Sequence, residues 1–387
     1  MPAVKPRKRV ALVIETSLAY GRAVLRGISK YLVAHQPWSM YLDLHELMAQ
    51  PPRWLENAEI DGVISRSTTP ELAASLLRRR IPTIDMTDFR LHDGLPHVYT
   101  DHRAVGKLAA EHLQERGFRQ FAYCGFSDHA WSSERREGFA NAITGHGAFH
   151  VYESRWQTSS SQTWAQQQQE IRGWLDSLPK PIGIMAANDM RGHHVLDACR
   201  QLELAVPESV AVIGVDNDEV LCELCDPPLS SVVPNPERIG YEAAAILDRM
   251  MAGESWPTET LYIPPMGIVT RQSTDVLATD DPIVASSLKI IREGACHQLT
   301  VDEILARVNT SRSVLERRFR KHLGRSPQEE IRQVQLKRVK QLLEETELPL
   351  SRIAELSGFQ HAEYLSVVFK REVGMTPGSY RKSANLR

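Results

Sequence analysis

The chain has 387 residues, 46 Lys+Arg against 48 Asp+Glu, and a hydrophobic content of 42%, the balance of an ordinary globular protein. Its length predicts two or three domains, and the lack of any apolar run approaching 18 residues excludes a transmembrane helix. The five cysteines, at 124, 199, 222, 225 and 296, include one CxxC pair (Cys222, Cys225) with no second Cys or His pair at matching spacing, so neither a metal site nor a cofactor is expected.

The first nine residues are basic, with Lys5, Arg7, Lys8 and Arg9. The apolar stretch after them, 10–14, is too short for the core of a signal peptide and lacks a cleavage pattern. A cytoplasmic protein without membrane contact is therefore expected. The near-neutral net charge hides a split. Residues 283–387 carry 19 Lys+Arg and 12 Asp+Glu, leaving 27 and 36 for the rest of the chain. Phosphates attract the first part and repel the second, so only the tail should touch nucleic acid.

In chain order, 9–15 reads as a buried strand, 16–22 as a loop and 23–34 as a helix. Strands follow at 60–65, 81–85, 121–124, 148–153, 183–187 and 210–215. Helices fall between them at 70–79, 102–116, 134–143, 162–178 and 190–203. This alternation predicts an α/β fold of parallel sheets with helices on both faces. Ligands of such sheets bind beyond the carboxyl ends of the strands. The loops there carry Ser17, Tyr20, Arg22, Arg66, Arg135, Asn188, Asp189 and Asp216, with Trp131 in one loop and Trp164 opening a nearby helix. Carboxylates and guanidinium groups for vicinal hydroxyls, with an aromatic plate for the apolar face of a ring, are what a sugar site requires. Taken singly these residues have plainer roles: Asp189 could cap its helix, and Trp164 could be core.

Residues 271–282 are polar and without apolar periodicity, which predicts a linker. A helix at 283–293 follows. Thr300 with Glu303, and Ser326 with Glu329, form capping boxes, the second with Pro327 at the tolerated first-turn position. The tail then repeats itself. Leu315, Phe319, Arg320, Gly324 and Pro327 recur as Leu365, Phe369, Lys370, Gly374 and Pro377, each 50 residues on. Before each copy lies a short apolar helix and a turn, Asn309-Thr310 in the first and Gly358-Phe359 in the second. Asn and Gly most readily take the positive φ that such a turn needs. Helix, tight turn, helix is the unit whose second member lies in a DNA major groove, although plain bundles share the pattern. Two copies in a basic tail favour the DNA reading.

Two family resemblances rest on particular residues. Gly117-Phe118, Arg135 with Gly138-Phe139, Asn188-Asp189, Val206-Pro207, and 212–216 followed by Pro228-Leu229 resemble the sugar-sensing domain of LacI-type repressors, itself similar to periplasmic sugar-binding proteins. This resemblance covers about 9–270. It implies two lobes joined by three crossovers and closing on a ligand, one from about 9–117 plus 233–262 and the other from 118–232 plus 263–270. It would place Arg135, Trp164, Asn188 and Asp216 at the sugar. The usual N-terminal headpiece has no room ahead of the first strand. In the tail, Ile353-Ala354, Gly358-Phe359, Tyr364, Phe369-Lys370, Gly374, Thr376-Pro377 and Tyr380-Arg381 resemble the AraC/XylS family. Leu365 stands where that family usually has Phe, keeping the buried apolar role. This resemblance implies an all-α domain over 283–387 with helix-turn-helix units at about 301–323 and 351–373.

The expected recognition helices, 311–323 and 361–373, would enter successive major grooves. Their first turns offer Arg312, Ser313, Glu316 and Arg317, and His361, Ala362, Glu363 and Ser366, as base contacts. Arg317 suits guanine O6 and N7. Lys321, Arg325, Lys370 and Arg371 are placed for phosphates. A sensor followed by this tail, with the loop Ala19-Tyr20-Gly21-Arg22 and the Trp164 region, is similar to activators of pentose catabolism. That similarity implies double-stranded operator DNA, a small sugar effector with xylose foremost, a homodimer, and RNA polymerase as a partner of an activator. Repression, or another pentose or a purine as effector, stays open. An enzyme is not expected, since no P-loop, nucleophile elbow or metal-ligand spacing is present.

Overall fold

The structure is a computed structural model describing residues 7–43, 51–56, 58–87, 94–156, 163–255, 259–275, 281–346 and 348–384. The chain forms two compact units, residues 1–203 with 211–275, and residues 204–210 with 276–387.

The first unit runs β1 (Arg9–Val13), α1 (Ala19–Ala34), β2 (Ser39–Leu42), β3 (Gly62–Ser65), α2 (Pro70–Arg78), β4 (Thr83–Asp85), β5 (Val98–Thr100), α3 (His102–Glu115), β6 (Gln120–Phe126), α4 (Ala130–Ile143), β7 (Ala148–Ser154) and α5 (Trp164–Ser177). It continues through β8 (Ile182–Ala186), α6 (Asp189–Gln201), β9 (Val210–Val215), α7 (Glu219–Leu224), β10 (Ser230–Val233), α8 (Pro236–Met251), β11 (Leu261–Ile263) and β12 (Gly267–Val269).

Two sheets result. One is parallel, in the order β2-β1-β3-β4. The other has the order β12-β10-β9-β8-β6-β7, with β12 antiparallel to β10. A short parallel pair, β5 and β11, completes the first lobe. The chain passes between lobes three times, after β5, after β10 and after β11. Helix α8 returns to the first lobe, where Ile239, Ala243 and Leu247 pack with Val24 and Ile28 of α1 over Val10, Leu12 and Ile64. The inward strands read as continuous apolar runs because helices cover both faces.

Several sequence expectations shift. Helix α1 begins at Ala19, so Tyr20 and Arg22 are helical and not in a loop. Strand β2 was not expected; all four of its residues are exposed at the edge of the sheet, so no burial pattern announced it. Helix α3 packs on α4, and Gly106 and Gly138 make this possible: a Cβ at Gly106 would lie 2.0 Å from the Arg135 carbonyl oxygen, and one at Gly138 2.1 Å from that of Arg103. The lobe change therefore falls at 100–102 and not at 117. The expected linker also starts later. Residues 271–275 belong to the first unit, where Ser273 and Thr274 are fully buried, Ser273 donating to the Val212 carbonyl at 2.6 Å. Residues 276–280 of that linker lie outside the described residues.

The second unit contains α9 (Pro282–Gly294), α10 (Val301–Val308), α11 (Arg312–Leu323), α12 (Pro327–Glu345), α13 (Leu350–Leu356), α14 (Ala362–Val373) and α15 (Pro377–Ala384). Both capping boxes form, at Thr300/Glu303 and Ser326/Glu329. Asn309, Gly324 and Gly374 end their helices in the left-handed conformation, with φ of 48°, 69° and 82°. The duplicated sequence builds two cores. Leu315 and Phe319 pack with Val284, Leu288, Ile304 and Ile331. Leu365 and Phe369 pack with Val339, Leu342, Ile353 and Phe359. Helix α12 contributes to both, and buried Gln335 at its middle donates to the carbonyls of Ala295 (2.9 Å) and Gly358 (3.2 Å). The two helical cores of this unit are thus fixed on one rod, about 28 Å long for 19 residues at 1.5 Å each.

Candidate functional site

Polar side chains gather beyond the carboxyl ends of the strands in both lobes, with Tyr20, Arg22, Trp131, Arg135 and Asp189 on helices and not in loops. In the first lobe, Glu15 after β1 and Arg66 after β3 form a buried ion pair. The Arg66 guanidinium lies 4.3 Å from the centre of the Tyr20 ring, and the Tyr20 hydroxyl bonds Thr100 Oγ1 at 2.7 Å. Arg22 is exposed and donates to the carbonyls of Thr16 (2.9 Å) and Ser17 (2.8 Å). It fastens this loop and does not point into the cluster, and Ser17 is exposed beside it.

In the second lobe Arg135 is the hub. It is 3% exposed and its donors fan out: Nε to His102 Nδ1 at 3.1 Å, Nη1 to the Ala187 carbonyl, and Nη2 to Asp216 Oδ1 at 3.4 Å. Its guanidinium also lies 4.7 Å from the Trp131 ring centre. His102 is two residues from Thr100. The first crossover is therefore held by Tyr20 of one lobe and Arg135 of the other.

Asp216 and Asn217 sit at positive φ, 107° and 49°, a conformation that non-glycine residues hold only when surroundings enforce it. Asp189 supplies the enforcement. Its Oδ2 accepts the Asp218 backbone N–H at 2.8 Å. Its Oδ1 accepts the Ser231 hydroxyl at 2.6 Å, and Ser231 Oγ in turn accepts the Asn217 N–H at 3.0 Å. Burial, with the Asp216 carboxylate nearby, holds the Asp189 carboxyl well above the usual carboxylate range. Asp189 is buried, with both carboxylate oxygens engaged behind the Asp216 turn. Asn188 caps α6, its Oδ1 accepting the Arg191 N–H at 2.9 Å, and stays half-exposed.

Of the two expected tryptophans, Trp131 joins an aromatic cluster and Trp164 does not. Phe126, His129, Trp131 and Trp156 form a connected ring cluster, with Phe126 and Trp156 centres 4.5 Å apart. Trp164 is 53% exposed at the first turn of α5, outside this cluster. Behind the plate, fully buried Arg191 lies 4.2 Å from the Phe126 ring centre and donates to Ser154 Oγ at 2.7 Å. His102, Trp156 and Arg191 escaped the sequence reading because nothing local marks them; only the approach of β6, β7 and α6 joins them. A groove of about 760 Å³ over α3 and α4 is lined by Asp101, Arg103, Glu134 and Tyr262, among others, and by none of the expected ligand residues.

In the helical unit, the outward face of α11 presents Ser313, Arg317, Arg320 and Lys321, all exposed. Arg317 has no hydrogen-bond partner among the described residues. Other expected contacts are engaged or turned aside. Arg312 pairs with Asp302 at 2.8 Å, and Glu316 is half-buried; Arg318, which was not among the expected contacts, is held by Asp281 at 2.6 Å. Arg325 pairs with Glu330. On α14, His361, Glu363, Lys370 and Arg371 are exposed, Arg371 beside Glu372 at 2.8 Å. Ala362 and Ser366 face partly inward, the Ser366 hydroxyl donating to the Ala362 carbonyl at 2.9 Å. Tyr364 and Val367 occupy the exposed face in their stead.

Three family models match the chain: an XylR N-terminal domain over residues 9–101, a periplasmic binding protein-like domain over 110–274, and a helix-turn-helix domain over 304–383. The xylose operon regulatory protein of Haemophilus influenzae is 34% identical over 384 residues, covering 96% of this chain and 98% of the relative. That of Escherichia coli K12 is 31% identical over 385 residues, covering 97% of each. The solved structure of the xylose-binding transcription activator XylR superposes with a TM-score of 0.84 at 30% identity, covering 98% of this chain and 99% of that one.

Proposed function

This chain belongs to the family of the xylose operon regulatory proteins, and on that premise we propose that it is a xylose-responsive transcription activator, a regulator and not an enzyme. The observation that carries this is the match of both modules, in the same order and over almost their whole length, to a xylose-binding activator. The site geometry agrees with a sugar. Arg66, Arg135 and Asp216 supply charge-assisted partners for hydroxyls, and the Phe126–Trp131–Trp156 cluster supplies a ring face. Of the expected ligand residues, Tyr20, Arg66, Arg135, Asn188 and Asp216 remain contact candidates, Asp189 and Arg22 become braces, and Trp156 or Trp131 takes the part given to Trp164.

The first crossover gives the switch. Tyr20 grips Thr100 from one lobe and Arg135 grips His102 from the other, so a ligand bridging Arg66 and Arg135 favours one crossover geometry over another. A ligand acts only through such a difference in affinity between states. Downstream, the rigid α12 would set α11 and α14 in successive major grooves, about one helical turn apart. A homodimer in the cytoplasm, contacting RNA polymerase at its promoter, completes the reading. Calorimetric titration with D-xylose, L-arabinose, D-ribose and D-glucose, and footprinting with and without D-xylose, test it. D-xylose should bind most tightly and change the footprint. Equal footprints and transcription with and without D-xylose would remove the xylose assignment.

A further inference from the structure

The exposed face of α14 carries an apolar residue at its centre. Val367 is 66% exposed. Glu363 and Tyr364 lie one turn before it and Lys370 and Arg371 one turn after, all exposed, while Leu365, Val368 and Phe369 fill the core. Tyr364 is held in place: Arg332 Nη2 donates to its hydroxyl at 3.2 Å, and the same guanidinium lies 5.3 Å from its ring centre. The 50-residue offset of the repeat sets Val367 on Arg317, the exposed and unpaired arginine at the centre of α11. One station on two equivalent helices thus holds a guanidinium in one copy and an isopropyl group in the other.

The surroundings say what covers that isopropyl group. Lys370 and Arg371 border it, within a unit whose charge is net positive, and the helix follows the tight turn of a helix-turn-helix. Such a face meets an anionic groove, and the apolar feature on the base edges of the major groove is the C5 methyl of thymine. We propose that Val367 is a specificity-determining residue of the second helix-turn-helix unit, reading a thymine through its methyl group at the station where Arg317 of the first unit meets guanine. This rests on the DNA-binding reading of the helical unit. The two copies then read by different physics, one by hydrogen bonds and the other by apolar contact.

The test uses the full chain. Operators are selected from random duplexes, in parallel with and without D-xylose, and each thymine is replaced in turn by deoxyuridine, which removes only the methyl. One thymine should lose about four-fold in affinity, the worth of one buried methyl group. In Val367→Ala the affinity falls by a similar factor and the sensitivity to deoxyuridine disappears, while Val367→Ile keeps it. The proposal is overturned if every thymine tolerates deoxyuridine, or if the same thymine stays methyl-sensitive in Val367→Ala. It is also overturned if Val367→Ala leaves DNA binding intact and weakens self-association, which would give this face to a second copy of the chain. A selection that enriches no common sequence sinks both this proposal and the DNA-binding reading. A shared operator indifferent to D-xylose removes only the effector assignment.

Discussion

Asp189→Asn tests how the site is held together. The carboxylate accepts hydrogen bonds from the Asp218 N–H at 2.8 Å and the Ser231 hydroxyl at 2.6 Å, and these hold Asp216 and Asn217 at positive φ. Asparagine has one acceptor oxygen. Turned toward the Asp218 N–H, it leaves its NH₂ facing Ser231, which must give up its donated bond. A hydrogen bond to a charged group contributes about 1.5–3 kcal/mol. Relief of the repulsion between Asp189 and Asp216 works the other way and offsets part of this. The net expectation is about 1.5 kcal/mol against the strained turn, or roughly ten-fold weaker sugar binding. Calorimetric titration with D-xylose, beside thermal melts of the same preparation, reads it. Affinity within two-fold of the parent protein, at an unchanged melting temperature, would refute the bracing role and leave Asp216 set by its own loop.

Three further outcomes follow from particular contacts. Gly106→Ala drives a methyl into the Arg135 carbonyl, forcing α4 outward; overpacking of this kind costs about 1–3 kcal/mol, and both melting temperature and sugar affinity should fall together. Burial brings His112, bonded to Thr274 Oγ1 at 2.8 Å, down to about 3 from 6.5, so the folded chain stays neutral where the unfolded chain binds a proton. Its contribution is full above pH 6.5 and is lost as pH falls from there toward 3. At pH 5.5 that loss is about 1.4 kcal/mol, and His112→Gln should reduce the fall in unfolding free energy from urea titration between pH 7.5 and 5.5 by about that amount. Arg317→Ala should weaken operator binding by about ten- to a hundred-fold and relax one base pair in a selection experiment; an equal loss on all sequences would make Arg317 a phosphate contact.

Much of the architecture was legible. The alternation of apolar runs with amphipathic helices determined parallel sheets, and the 50-residue repeat determined two helical units, because side-chain periodicity reports which face is buried. The two capping boxes of the helical unit were legible for the same local reason: donor and acceptor lie three residues apart. Strand β2 was not, since its residues are exposed and it is defined only by pairing with β1.

At the sites the division is sharper. The sequence by itself determined that polar and aromatic residues collect at the carboxyl ends of the strands, and that the basic residues concentrate in a duplicated tail. Only the tertiary structure decided their roles. Asp189 and Asp216 look alike in sequence, yet one is buried as a brace and the other stays partly exposed, because β9, β10 and α6 converge on the first and only a turn carries the second. Arg318 stands beside Arg317 and is engaged by Asp281, 37 residues away. Trp156 packs on Phe126, and Trp164 does not, because β7 runs beside β6 and ends next to Phe126. Residue type sets what a side chain can do, and its distance from neighbours remote in sequence sets which of those things it does.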